Sequence, residues 1–458
     1  MIQFEILEIA TINDFNILNS KLNAIFVNAS HHKLIEDLKS RIGTACKSLI
    51  IEYPYRDYDF SSVYSSFYVK KYREVSRDCV RIHLFSNNEL SQEFYKGFIV
   101  VRDSIIDSRG RALLDPKFLI QQRKAYIVRT EMKANIAGTP FVIDTFPWMA
   151  QDTDIAICAH IAIWSIVNYY ANRYPFYKMS SIGQISEATP QYLGRKTPSE
   201  GLNLLQISDL LSLNGFHPLI IAKRSLVDID FFRAVYAYIE SGIPLVSAMT
   251  KKEHAVAIIG HGEINEEGIL QSTELIISVA DHVNEYIISD DNELPFTMIE
   301  KDGSSYTFND LDHVIVPLYE KMYLNASIVY TRVTGLLESQ VLNIEEHCVL
   351  RVYLTSVRSL KREVANNGSM NVDLKNILLT LPLPQFVWCA DICTKDEYSS
   401  GLTSARIIID STAGTYENDP WLLMHDGQKI IFRDGQNNNQ LDVVIDAYDM
   451  YINNLKEV

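Results

Sequence analysis

Cysteine is scarce in this chain: six residues, Cys46, Cys79, Cys158, Cys348, Cys389 and Cys393, among 458. So thin a set does not make a disulfide framework in a chain of this length. Long apolar runs are lacking too; the stretch Ile155–Val167 is too short to span a bilayer. The N-terminal sequence MIQFEILEIATINDF has neither the cationic start nor the continuous apolar segment of a secretory signal. These absences together set the expectation of a cytoplasmic protein with reduced thiols and no membrane association. There is no phosphate-cradling glycine loop, no G-x-S-x-G and no H-E-x-x-H, so those nucleotide, serine-hydrolase and zinc-protease signatures are missing. Basic residues are outnumbered, Lys+Arg 42 against Asp+Glu 57, giving a formal net charge of −15. An acidic surface repels phosphate backbones, so nucleic acid is not an expected partner.

What is present is a globular composition, 47% hydrophobic and 22% charged, in a chain too long for one ordinary core. Three regions are expected: a mixed α/β region over 1–145, a central unit over 146–320, and an α+β region over 321–458. In the first, a helical pattern (Ile17–Ile42) precedes strands at Ser48–Glu52, Val80–Phe85 and Phe98–Val101. The aromatic tract Tyr53–Val75 reads as packing between a strand and a helix, and Ile106–Pro116 as a loop. The central unit starts with a polar run carrying Gln151, Asp152 and Asp154, then an apolar helix opening at Cys158. A polar connection with Pro175, Gly183 and Pro190 follows. Helices are expected at Gly201–Phe216 and Phe231–Gly242, and strands at Ile243–Met249, His254–Gly262 and Tyr286–Asp291. Helices followed by a compact run of strands make a segregated α+β class. In the last region strands are expected at Ser327–Val333 and Arg406–Asp410, a helix around Val349–Ala365, and after Gly427 a strand, a polar stretch and a short helix.

Cys158 is the residue around which chemistry can be assembled. A cysteine at a helix N-terminus sits at the positive end of the macrodipole, which favours thiolate over thiol. Acyl transfer through a thiolate further needs a histidine, a polar group to orient it, and donors for the oxyanion. His254 opens a strand, where its ring can face a helix N-terminus across a cleft. Asp290 ends a strand that can neighbour it, with Asp291 competing for the orienting role. Gln151 precedes the cysteine, where its amide can join the Cys158 backbone N–H as an oxyanion donor.

The order Gln151, Cys158, His254, Asp290 resembles the papain-like cysteine peptidases. The likeness is closest to the branch containing the bacteriocin-leader-processing domains of ABC exporters and related bacterial peptidases. The pieces that carry it are Gln151, Cys158, GIPLVSA (Gly242–Ala248), HAVAIIGHG (His254–Gly262) and YIISDD (Tyr286–Asp291). It covers roughly residues 146–320. It implies a helix-borne cysteine facing an antiparallel sheet, a protein or peptide substrate, and no cofactor or metal. The chain departs from that pattern in Ala159 and His160 where glycine usually follows the cysteine, in a Gln-to-Cys spacing one residue longer than papain's, in an insertion at Glu263–Glu285, and in Asp291 where proline is frequent.

Each residue has a plainer reading. Cys158 can be an inert buried thiol, His254 a strand-end histidine, and Gln151 an ordinary loop residue. His160 reads as a helix-surface or supporting residue, and His261 as structural. Cys389 and Cys393, without a second pair, make a poor zinc site. The acidic stretch Glu285–Asp291 reads either as a calcium ligand set or as a solvated strand end. A non-catalytic papain-like module that binds a partner, or a thiol-dependent amidase or acyltransferase, remain alternatives to a peptidase.

Overall fold

A computed structural model describes residues 2–120, 123–152, 155–190, 201–226, 228–303, 306–435, 437–452 and 455–458, except the side chains of 228 and 229. Asp154, the end of the polar connection after Pro190, Gln436 in the polar tail and residues 453–454 therefore lie outside it. The architecture is mixed α+β, with three large, predominantly antiparallel sheets. Among the described residues no helix is long and apolar enough to cross a membrane.

The first sheet has six strands, in the order Gln3–Glu8, Ser48–Tyr55, Cys79–Phe85, Tyr95–Val101, Arg109–Leu114 and Trp148–Met149. The central sheet runs His217–Ala222, His313–Leu318, Leu245–Met249, His254–Gly262, Glu285–Ser289 and Thr297–Glu300. Two short strands from far along the chain complete it: Ala125–Ile127 pairs with the Gly260–Gly262 end of the His254 strand, and Lys456–Glu457 pairs with Ala125–Ile127 in turn. The third sheet is built on Cys348–Ser356, Phe386–Cys393, Ala405–Asp410, Trp421–His425, Lys429–Asp434 and Asn437–Asp442. Its remaining strand, Ile276–Ser278, comes from within the insertion Glu263–Glu285 and pairs in parallel with Cys348–Leu350. The insertion thus stitches the central unit to the last.

The Cys158–Arg173 helix is the axis of the centre. Ala159 through Tyr170 are all buried, as befits a helix apolar on every face. It packs on the His254 strand, and Pro175 beyond it bars continuation. Buried charge ties the units together. Glu240, at the end of the Asp228–Glu240 helix, receives Arg351 Nε at 3.1 Å and pairs with His261 Nε2 at 3.0 Å. Arg351 and the fully buried Arg406 share Asp391.

Several expectations fail where local pattern meets tertiary context. Ser327–Val333 is no strand but part of the helix Ala326–Glu338, capped by the Asn325 side chain, which accepts from the Ile328 N–H at 3.0 Å. Its branched residues at three- and four-residue spacing form a buried helical stripe. The expected helix at Val349–Ala365 splits into the strand Cys348–Ser356 and the helix Val357–Asn366, because the Ser356 hydroxyl caps the helix there. Ile106–Pro116 holds a buried strand, Arg109–Leu114; its charge is accommodated because Asp107 and Asp37 neutralise Arg109. Ile17–Ile42 is interrupted after Ile25 and resumes at His32. The tail after Gly427 is a strand hairpin with short strands at Tyr448–Asp449 and Lys456–Glu457, and no helix appears among its described residues.

Gly260 marks a close backbone approach in the central sheet: a Cβ there would lie 2.2 Å from the Tyr126 carbonyl oxygen. Gly260→Ala should therefore destabilise by about 1–3 kcal/mol in urea unfolding through forced separation of the Ala125–Ile127 strand. Gly335→Ala, in an open helical position, should instead stabilise slightly. Equal effects at the two positions would contradict the packing argument.

Candidate functional site

Cys158 is the first residue of its helix, following Ile157 in extended conformation (φ −102°, ψ 176°). The first N–H groups of a helix have no intrahelical acceptor, so they converge as donors beside the thiol. His160 helps to set this end. Its Nδ1 accepts the Ile157 N–H at 3.4 Å, and its Nε2 lies 2.9 Å from the Thr189 hydroxyl. It is buried, which sets aside the helix-surface reading in favour of the supporting one, and its ring nitrogens are committed to cap and neighbour. Of the six cysteines, Cys158 is the one not buried.

His254 starts its strand three residues before Ala257, which pairs with Ser289; Asp290 follows immediately. Both side chains therefore stand at the same end of the strand pair. His254 Nε2 lies 3.0 Å from Asp290 Oδ1 and 3.8 Å from Asp291 Oδ1. Of the two acids, Asp290 is the one within hydrogen-bond distance. Burial alone would lower the His254 pKa. Hydrogen bonding to Asp290 and to Cys158, with the charges of Asp290 and Asp291, outweighs it and carries the ring to about 10. With Nε2 occupied by Asp290, Nδ1 is the nitrogen left for the thiol. The structure thus brings Cys158, His254 and Asp290 together.

Gln151 joins this group by another route. Its Nε2 donates to Asn292 Oδ1 at 3.0 Å, and the Asn292 backbone N–H donates to Asp290 Oδ1 at 2.9 Å. One amide hydrogen of Gln151 is thus engaged by the loop that carries the acid, and the other remains for a ligand. The Gln151 loop is also held from below. Arg102 Nη2 donates to the Gln151 carbonyl at 2.6 Å, and Tyr68 donates to Asp152, whose backbone bonds to Ala156 in both directions. Trp148 Nε1 donates to the Asp290 carbonyl at 2.5 Å, and Arg109 Nη2 to that of Asn292 at 3.0 Å. Tyr306 stacks on the His254 ring, with centroids 5.8 Å apart and planes at 23°.

Sequence reasoning missed Asn292, Tyr306, Trp148, Arg102 and Tyr68. Asn292 and Trp148 lie within three residues of Asp290 and Gln151, which is the one signal that pointed to them; the others arrive through tertiary packing. The acidic stretch is not a solvated strand end: Asp290 and Asp291 are buried. Burial pushes the Asp290 carboxyl up, but His254 and the Asn292 N–H outweigh it and hold it below its ordinary value. Asp291 goes the other way. Burial and then the Asp290 charge raise it to about 7, against the pull of His254. Among the described residues neither of its carboxylate oxygens meets a donor from another residue; when protonated, it can donate to Asp290. His261 is buried between Glu240 and the Gly262 carbonyl, on structural duty. Cys389 and Cys393 lie buried in one strand, and among the described residues neither belongs to a cluster with metal-ligand spacing.

Chemically, a thiol at a helix N-terminus, an imidazole held in its protonated form and a side-chain amide beside them can carry out nucleophilic acyl transfer. No family model matches this chain, and no curated protein or solved structure matches it either.

The Asp291 shift has a consequence for stability. A carboxyl raised to about 7 from 3.8 keeps a proton in the folded state that the unfolded chain releases. Stability therefore falls as pH rises through that interval, and the full penalty applies above it. Asp291→Asn should melt higher than the native protein at pH 8, with the gap closing towards pH 4. A gap independent of pH would show that ionisation of Asp291 is not its cause.

Proposed function

We propose that the chain is a papain-like cysteine hydrolase that cleaves a peptide or isopeptide bond through a thioester. The observation that carries this reading is that His254 lies 3.0 Å from Asp290 through Nε2, with Cys158 as well as Asp290 favouring its protonated form. The Cys158 sulfur attacks the carbonyl carbon, and the developing oxyanion is met by the Cys158 backbone N–H and the Gln151 side-chain amide. His254 gives its proton to the departing amine as the C–N bond breaks, leaving the acyl group on sulfur. Water, losing a proton to His254, then attacks the thioester; the acid leaves and the thiolate–imidazolium pair is restored. Asp290 holds Nε2, which keeps Nδ1 aimed at sulfur and stabilises the imidazolium. Arg102 and Arg109 support this site from the first region, so residues outside 146–320 take part in building it.

The same groups serve acyl transfer to or from small amides, so product analysis decides the substrate class: peptide fragments from a peptidase, ammonia or an acylated amine from an amidase or acyltransferase. The dyad itself is tested by alkylation with iodoacetamide at pH 6 and peptide mass mapping. Cys158 should react while the five buried thiols, which burial shifts upward, stay intact. His254→Ala should slow the Cys158 reaction roughly a hundredfold at that pH, since an unassisted thiol with a pKa near 8.5 is under about 1% ionised there. If the variant reacts as fast as the native protein, His254 does not activate the thiol and the reading of a non-catalytic binding module takes its place.

A further inference from the structure

Asp291 is the odd residue in the site. It is 3% exposed, touches the His254–Asp290 pair, and among the described residues no other residue gives either of its oxygens a donor. The mechanism above gives it no role. A buried carboxylate without a donor is stabilised either by a proton or by a cation. The surroundings fit a cation well. His254 Nε2, Asp290 Oδ1 and Asp291 Oδ1 converge, with Nε2 at 3.0 and 3.8 Å from the two oxygens. One ligand atom from each of the three residues lies within 4.8 Å of the others. Ligands about 2.1 Å from a tetrahedral ion stand about 3.4 Å apart, so these separations bracket what a zinc-sized ion asks for. One imidazole nitrogen and two carboxylate oxygens form a donor set suited to zinc or a similar divalent transition ion, with water completing the shell.

We propose that His254, Asp290 and Asp291 form a site for a divalent transition-metal ion, and that its occupation switches the Cys158 chemistry off. The ion takes the place of the proton shared between His254 and the acids. A ring ligated through Nε2 and protonated on Nδ1 is neutral and has no free nitrogen, so it neither takes a proton from the thiol nor carries one to a leaving amine. Metal binding needs only the three ligands; the inhibitory effect rests on the hydrolase reading given above.

The test uses the full chain and Zn²⁺ as the probe. Equilibrium dialysis with metal analysis should find one zinc per chain. Asp291→Asn should weaken binding by at least about tenfold, and His254→Gln should do likewise, which guards against a fold defect in a single variant. Cys158→Ala should bind as the native protein does, because sulfur is not a ligand. Zinc should slow alkylation of Cys158 at pH 6 in the native protein, with recovery on adding EDTA, and should not slow it in Asp291→Asn. Three results would overturn the proposal: no zinc bound, undiminished binding in Asp291→Asn, or loss of binding in Cys158→Ala. Zinc bound through these three ligands without an effect on alkylation would sustain the site and reject the switch. A failure of the hydrolase reading would show differently, as slow Cys158 alkylation in the metal-free native protein.

Discussion

The contact between His254 and Asp290 is the constraint on which the site depends. An imidazole in a half-buried place would ordinarily lose its proton, and a buried carboxyl would ordinarily keep one. Placed 3.0 Å apart, each reverses the other's tendency. His254 stays cationic up to about 10, and Asp290 stays anionic. A cation fixed beside a thiol is what the proposed acyl transfer requires. The other contacts around the site serve to keep this pair in place.

They do so from outside the central sheet. Trp148 and Arg109 belong to strands of the first sheet, yet they fix the carbonyls of Asp290 and Asn292. Arg41 donates to the carbonyls of Leu294 at 2.9 Å and Pro295 at 3.1 Å, securing the same loop farther on. Arg102 and Tyr68 secure the Gln151 loop on the other side of the cysteine. Two loops that carry the candidate groups are thus clamped by the first sheet and the helical turns beside it, and Gln151 meets Asn292 between them. Loops held at several carbonyls by guanidinium and indole donors lose much of their conformational freedom, which is what preorganised donors require. The last region adds a second kind of support: the insertion strand Ile276–Ser278 extends its sheet, and Arg351 meets Glu240 behind the central one.

How much of this was legible in the sequence depended on whether the cause was local. The Cys158 helix was readable because an apolar run of that length, ended near Pro175, admits little else. The strand His254–Gly262 was readable from its branched residues and glycine end. The meeting of Cys158, His254 and Asp290 followed from strand adjacency, which the order of motifs implied. The failures share a mechanism. Ser327–Val333 looks like a strand residue by residue, and only the Asn325 cap and the buried face make it a helix. Arg109–Leu114 looks solvated until Asp37 and Asp107 neutralise its arginine. The sequence left His160 open between a helix-surface and a supporting place because its partner, Thr189, lies in a different helix–loop segment. The support from Arg102, Tyr68 and Tyr306 had no sequence signature at all, since each reaches the site through pairing across the chain.

The most direct measurement of the central claim is a pH titration of His254 by ring ¹⁵N chemical shift in the metal-free protein. The ring should be protonated on both nitrogens through neutral pH, titrate only near 10, and titrate lower once Cys158 is replaced by alanine. A midpoint near the ordinary value of 6.5, unchanged by loss of the thiol, would contradict that claim and leave His254 a structural partner of Asp290 alone.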